Sequence, residues 1–205
     1  MKDMIKDAII LFVITLIAGF LLGFVYDITK APIAEQKAKA KTEACKNVFS
    51  EAKDFIPYEE FDAEIAKTAV SEAGITGADI DEVMRAVDES GNTLGYVVTV
   101  TDHNGYGGDI QFSMGITVDG VLNGISLLSI AETAGLGMKA EDVLVPQFAN
   151  KPADWFTYTK SGAVNDSEID AIGGATITTV AIVDGVNAGI SYVKYIEEGG
   201  VANEQ

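Results

Sequence analysis

The chain opens with a long apolar run and then changes periodicity twice. No residue between Ala8 and Tyr26 is charged, and a helix of that length spans roughly 28 Å, which matches the hydrocarbon core of a bilayer. A cleaved signal peptide would have a shorter apolar region followed by a small-residue cleavage site, and no such site follows here. The pattern therefore predicts a single transmembrane helix over residues 8–26, behind a short tail at residues 1–7.

The segment after the span is rich in Ala, Lys and Glu. Residues 27–82 predict a membrane-proximal helix with Pro32 in its first turn, where proline is tolerated, followed by a polar connector. Strand-like runs separated by turn residues then extend from Val83 to about Ile130. The Asp119-Gly120 pair between two of these runs is a strong hairpin signal. The runs predict an antiparallel β-meander.

The last periodic segment predicts a helix. Apolar residues recur at steps of three and four from Val180 to Val193, which indicates one buried stripe with Asp184 and Asn187 outside it. Together the elements predict an α+β fold. A single transmembrane helix precedes a domain at residues 83–197, built from an antiparallel β-meander and flanking helices, and a C-terminal tail at residues 198–205 ends the chain.

Charge and the rare residues exclude several classes of site. The formal net charge is −17, and a domain this acidic repels phosphate backbones, which argues against nucleic-acid binding. Cys45 is the only cysteine, so neither an internal disulfide nor a thiolate cluster can form, and an inert thiol is expected. His103, the only histidine, lies in a turn-like stretch and is expected to be a solvated loop residue. No metal site is predicted.

The stretch "DAIGGAT", Asp170 to Thr176, lies directly before the predicted final helix. The first turn of a helix has unpaired N–H groups and the positive end of the helix dipole, which favour an anion. Gly173 and Gly174 let the backbone approach such an anion closely. An ordinary glycine turn followed by a threonine N-cap fits the same residues, and spacing alone favours that interpretation.

Two further glycine-rich stretches come earlier in the chain. "ETAGLG", Glu132 to Gly137, follows the meander directly, and its glycines expose main-chain donors and leave room for a flat group. A plain strand-to-helix loop fits it equally well. "NGYGGD", Asn104 to Asp109, places an aromatic ring between glycines and also fits a hairpin tip.

Two of these stretches resemble motifs of one protein family. "DAIGGAT" resembles the flavin-transferase motif Asp-x-x-Ser/Thr-Gly-Ala-Thr/Ser, and "ETAGLG" resembles the Glu-Thr-Pro-Gly-Leu-Gly segment upstream of it. With an N-terminal span followed by "YDITKAPI", the chain is similar to the G subunits of the Rnf complex, an ion-pumping ferredoxin:NAD oxidoreductase. The C subunits of the sodium-pumping NADH:quinone reductase are relatives of that family. Gly173 and Ala134 depart from the family's hydroxyl residue and proline, and neither is the attachment position.

The resemblance implies a cofactor and its site. It implies FMN attached covalently through its phosphate to Thr176 by a separate flavin transferase. The implied cofactor-binding residues are Asp170, Gly173, Gly174, Ala175 and Thr176 in the first motif, and Glu132, Thr133, Gly135, Leu136 and Gly137 in the second. It further implies an electron-carrying subunit of a multisubunit translocase, in contact with other membrane and redox subunits. Such a subunit has no catalytic residue, no metal ligand and no independent turnover.

Charge and resemblance predict different sides of the membrane for the large domain. More lysines closely follow the span than precede it, which by the positive-inside rule would put the large domain in the cytoplasm. The resemblance implies the opposite, with residues 1–7 in the cytoplasm and the FMN domain on the extracytoplasmic side of the plasma membrane.

Two other functions fit the sequence. An anchored flavin reductase of another type would be expected to show a substrate-binding domain or an active-site His/Arg cluster. A non-redox envelope protein, whose glycines only form turns, would be purified without flavin absorbance.

Overall fold

One unbroken helix contains the predicted membrane span. The structure, a computed structural model, describes residues 2–199, so Met1 and residues 200–205, which fall in the predicted tails, lie outside it. Helix α1 runs over Lys2–Val48. It contains an apolar stretch that is long enough to cross a bilayer, and that stretch is entirely exposed. Pro32 lies inside this helix rather than at the start of a second one. Proline removes one backbone hydrogen bond, and the strong helix formers on both sides keep the helix continuous despite that loss.

The chain divides into two units, Met1–Ala40 and Lys41–Gln205. The second unit is α+β, as predicted, and is built on a six-stranded antiparallel sheet whose strands follow one another in chain order. The strands are β1 (Asp54–Pro57), β2 (Ala78–Val87), β3 (Thr93–Asp102), β4 (Ile110–Thr117), β5 (Val121–Ser129) and β6 (Lys151–Pro152). The predicted meander is therefore confirmed, and its edges extend further than the sequence suggested.

The sheet begins inside the segment that the sequence assigned to a helix and connector. Strand β1, helix α2 (Ala63–Glu72) and the first residues of β2 all lie before residue 83. In β2 the buried Ala78 and Ile80 alternate with the exposed Asp79. This is a strand with one exposed face, and its acidic residues made it look like a polar connector.

The rest of the second unit is short elements followed by one long helix. Helix α3 (Ala140–Val143) lies between two 3-10 turns, and strands β7 (Thr157–Thr159) and β8 (Glu168–Asp170) form a small parallel sheet. Helix α4 covers Thr176–Glu197. It is also long and apolar enough to cross a membrane, but 72% of its apolar 18-residue stretch is buried inside the folded unit. Its burial makes it a core helix.

Helix α4 packs on one face of the sheet at close range. A Cβ added to Gly189 would lie 2.2 Å from the sulfur of Met114, and one added to Gly185 would lie 2.9 Å from the ring of Phe112. The prediction of a single buried stripe is wrong, because the middle of α4 is buried on nearly all sides. Asn187, expected outside, is 1% exposed and pairs through its amide with the backbone N–H and C=O of Phe156 at 2.8 and 2.9 Å.

The opposite face of the sheet is covered by the end of α1. Cys45, Val48 and Phe49 pack there against Ala86 and Val97. Burial raises the pKa of the Cys45 thiol, and the cysteine is free. Its low thiolate fraction agrees with the inert thiol expected from the sequence.

Candidate functional site

Three loops that are far apart in the chain meet around one cavity. Its volume is about 460 Å³, and it is lined by Tyr106, Glu132, Thr133, Leu136, Gly137, Gly174, Ala175, Thr176, Ile177 and Thr178. The lining comes from the β3–β4 loop, from the segment after β5, and from the start of α4. The two motifs singled out in the sequence thus face the same space.

The start of α4 brings an uncapped helix terminus to this cavity. The N-cap position is Ala175, with φ −130° and ψ 50°, and no side chain caps the helix. The ordinary alternative of a threonine N-cap is therefore not observed, since Thr176 is already the first helical residue. Without a capping side chain, the first-turn N–H groups keep their capacity to bind an anion.

The three threonines of this turn have different surroundings. Thr179 is buried, and its hydroxyl donates to Ala175 O at 3.0 Å and accepts from Ile172 N–H at 3.2 Å. Thr178 lines the cavity but is only 1% exposed. Thr176 lines the cavity and is half-buried. Of the three, Thr176 is the one that an outside enzyme can reach most readily.

The two motifs touch through their glycines. Gly174 has φ +81°, which favours glycine, and a Cβ there would lie 3.2 Å from Leu136 Cδ2. A Cβ on Gly137 would lie 2.6 Å from the hydroxyl oxygen of Thr178 and 2.7 Å from Glu132 Cβ. Glycine at position 137 is thus needed for the second loop to lie this close to α4.

Three predicted site residues lie outside the cavity lining. Gly135 has φ +77°, a backbone conformation that favours glycine, and open space around it. Open space also surrounds Gly173, so the hydroxyl residue of the family motif would fit there. Asp170 ends β8, where its carboxylate accepts from Ala163 N–H at 2.7 Å and its own N–H donates to Gln147 Oε1 at 2.7 Å. That pairing gives Asp170 a structural role in holding the motif.

Three lining residues, Tyr106, Ile177 and Thr178, were not among the predicted cofactor-binding residues. Ile177 is 52% exposed at the helix start, and Tyr106, the aromatic ring between glycines on a loop that also fitted a hairpin tip, is 70% exposed. An exposed apolar side chain in the first turn after a glycine motif was the available signal for Ile177. The Tyr106 loop is tied to the second motif, because Gly107 N–H donates to Glu132 Oε1 at 3.2 Å.

The base of the Tyr106 loop contains a buried acid. Asp102 is 0% exposed, and burial, reinforced by the charge of Asp184, raises its pKa to about 6. Its Oδ1 accepts from Asn104 N–H at 2.7 Å, whereas its Oδ2 is buried without a partner among the described residues. The unpaired oxygen disfavours the charged form.

His103 does not have the purely solvated surroundings expected from the sequence. Its two ring nitrogens lie 2.9 Å from Asp109 Oδ1 and 3.1 Å from Asp79 Oδ2. Within residues 2–199, no group of three or more His, Cys, Asp or Glu side chains could hold a metal ion.

Comparisons with known proteins point to one family. Residues 105–191 match the family model for an FMN-binding domain, and residues 1–48 match that for the RnfG N-terminal region. The FMN-binding match contains the cavity-lining residues of all three loops.

Relatives are similar along nearly the whole chain. The G subunit of the Na(+)-translocating ferredoxin:NAD(+) oxidoreductase complex of Acetobacterium woodii is 34% identical over 191 residues, which cover 92% of this chain and 91% of that protein. The G subunit of the ion-translocating oxidoreductase complex of Methanosarcina acetivorans is 30% identical over 200 residues, 94% of this chain and 95% of that protein. The crystal structure of Shewanella oneidensis NqrC aligns with 57% of this chain and 61% of that chain, at 18% identity and a TM-score of 0.46.

Proposed function

The chain belongs to the family of G subunits of Rnf ion-translocating oxidoreductase complexes, and on this premise we propose that it is the membrane-anchored electron carrier of such a complex, with FMN in the cavity beside α4. In this role it takes electrons from one redox subunit and passes them to another while the complex moves Na⁺ or H⁺. It turns over no substrate of its own.

The observation that carries the proposal is the meeting of both motifs at one cavity. Its volume of about 460 Å³ lies within the range of small-molecule sites. The uncapped start of α4 suits a phosphate, since its N–H groups and dipole favour an anion. Leu136, Ile177 and Tyr106 offer partly exposed apolar and aromatic surface to a flat ring. The residues present therefore fit FMN.

We further propose that FMN is attached covalently at Thr176, as the resemblance implies, and the same geometry supports this. A threonine hydroxyl is a weak nucleophile unless a base activates it, and the ten residues that line the cavity include no histidine or lysine. We therefore assign the attachment to a separate flavin transferase, which acts on the half-buried Thr176 at the cavity. The bound FMN supplies the redox chemistry, and this chain holds and orients it.

Flavin on this protein is expected to survive denaturation. Protein purified from its native host should fluoresce as a flavin band on a denaturing gel, because a phosphoester persists when the fold is lost. Its intact mass should exceed the sequence mass by FMN minus one water. Flavin that is released on denaturation would contradict covalent attachment but not the binding of FMN. Protein without any flavin would favour the non-redox envelope alternative.

We place the FMN domain on the extracytoplasmic side, with residues 8–26 of α1 in lipid and the remaining membrane subunits as neighbours. A covalent link supports this placement, because a dissociable cofactor would be lost there to a dilute medium. The lysines that follow the span argue for the other side, but long domains translocate largely regardless of their charge.

Protease accessibility tests the placement. Protease added to intact cells, or to spheroplasts where an outer layer shields the domain, should digest the chain beyond Lys30. A cytoplasmic protein followed in the same sample should remain intact and serves as the lysis control. Digestion that requires lysis would put the domain in the cytoplasm.

A further inference from the structure

The β3–β4 loop, residues 103–109, carries Tyr106 to the cavity and is fastened on both sides of it. On one side, Asn104 Nδ2 donates to Thr76 O at 2.8 Å. On the other, Gly107 N–H donates to Glu132 Oε1 at 3.2 Å. A Cβ on Gly107 would lie 2.1 Å from Ala131 O and 3.3 Å from Glu132 Cα, so the backbone there lies against the start of the second motif. The position of Tyr106 is therefore set by the anchoring of its neighbours.

His103 closes the base of this loop. Its Nδ1 lies 2.9 Å from Asp109 Oδ1 at the other end of the loop, and its Nε2 lies 3.1 Å from Asp79 Oδ2 on β2. An ionised carboxylate only accepts hydrogen bonds, so both ring nitrogens must carry a hydrogen for both bonds to form. Only the imidazolium meets this condition, and a neutral ring loses one of the two bonds.

We infer that His103 is a positioning residue of the cofactor cavity, and that as an imidazolium held between Asp79 and Asp109 it fixes the loop that carries Tyr106. We refer to these three residues as the His103 clamp. The clamp rests on the hydrogen bonds alone, whereas its effect on a flavin rests on the proposed function. Tyr106 contacts the cavity, and His103 acts through it.

The charged groups around His103 all favour its protonated form. Hydrogen bonds to Asp109 and then to Asp79 raise the pKa of His103, against a smaller opposing effect of burial. Asp102, at the end of β3, interacts with the imidazolium and has its pKa raised to about 6 by burial, with Asp184 on α4 adding to that rise.

The direction of the pH dependence follows from these shifts. Because the folded-state pKa of His103 is raised, the clamp contributes its full stability below the unfolded value of about 6.5. That contribution is lost as the pH rises through the raised pKa. Asp102 affects stability at lower pH. Its folded-state pKa is raised to about 6, so the stability that its neutral, buried carboxyl contributes is lost as the pH rises to about 6. Loosening of the loop above that pH is the mark of His103.

Nuclear magnetic resonance can follow the titration of His103 without overlap from other histidine signals, because His103 is the only histidine in the chain. In full-length protein in detergent, made without the transferase and therefore free of flavin, the His103 ring should titrate with a pKa above that of an unstructured histidine. Asp79→Asn and Asp109→Asn should each lower that pKa, and the amide signals of Tyr106 and Gly107 should shift over the same pH range. An ordinary histidine pKa, or loop signals that do not respond, would overturn the clamp.

The pH dependence of the flavin spectrum in flavin-loaded protein tests the positioning role of His103. The wild-type flavin emission and visible spectrum should change over the pH range in which His103 titrates. His103→Gln, which cannot become a cation, should show the alkaline spectrum throughout. His103→Arg, which stays charged and can donate to both carboxylates, should retain the acidic spectrum to higher pH.

A matched control separates the clamp from charge removal in general. Asp166→Asn breaks an ion pair with Lys151 at 2.7 Å outside the cavity lining and should leave the pH profile of the flavin unchanged. Identical profiles for wild type and His103→Gln would overturn the positioning role. Protein that never acquires flavin would contradict the proposed function and leave the titration of His103 as the test of the clamp.

Discussion

Protein that carries Thr176→Val is expected to lack covalent flavin completely, even when the transferase is present. Valine keeps the shape of threonine but has no hydroxyl, so the phosphoester cannot form. The half-buried first residue of α4 tolerates this exchange, since no helix cap depends on its side chain. Flavin fluorescence on a denaturing gel and the intact mass both measure the loss. Electron transfer through the complex should fall to the background of a preparation without this subunit.

The neighbouring hydroxyls provide controls matched to the structure. Thr176→Ser retains a hydroxyl at the same place and should recover flavin. Thr178→Ala should keep flavin, because that side chain is 1% exposed. Thr179→Ser is the suitable change at the next position, since the Thr179 hydroxyl binds Ile172 N–H and Ala175 O and its loss would disturb the turn itself. Flavin that persists on Thr176→Val would move the attachment to another hydroxyl.

The elements that could be predicted from sequence are those with a strong local signal. The uncharged run from Ala8 to Tyr26 is one such signal, and the strand alternation around Asp119-Gly120 is another. Both are formed by residues that lie close together in the sequence. The first residues of β2 were missed because Asp79 and Asp81 lie on an exposed or polar face, which removes the apolar signal. Asn187 was misplaced because its partner, Phe156, is 31 positions away. Burial that depends on distant segments leaves no local trace.

The cavity itself was predictable through resemblance and not through spacing. Nothing local in "ETAGLG" indicates that Leu136 approaches Gly174 across the fold. The same limit applies to His103, because its partner on β2, Asp79, is 24 positions away. From the sequence Gly135 was expected to face the cofactor; in the structure it has a positive φ and lies outside the residues that line the cavity. The close approach belongs to Gly137.

Gly137→Ala is expected to displace the second loop from α4 and change the flavin environment. The added Cβ would lie 2.6 Å from Thr178 Oγ1 and 2.7 Å from Glu132 Cβ, distances that a folded protein does not accept. Overpacking of this kind costs about 1–3 kcal/mol of unfolding free energy. Because the Thr176 hydroxyl is untouched, covalent FMN content should stay high in the folded fraction. The visible spectrum and the midpoint potential should shift, and the melting temperature should fall.

Second-site changes show whether this effect comes from the contact with α4. Thr178→Ala removes the oxygen that the new Cβ would meet, so the double variant Gly137→Ala/Thr178→Ala should recover part of the spectrum and stability, a non-additive result that contacting residues produce. The contact with Glu132 Cβ remains, which limits the recovery. Gly135→Ala strains only the turn at φ +77° and should cost about 1 kcal/mol or somewhat more with little change in the flavin. Equal spectral shifts from Gly135→Ala and Gly137→Ala would mean that general loop strain, and not the approach to α4, sets the flavin environment.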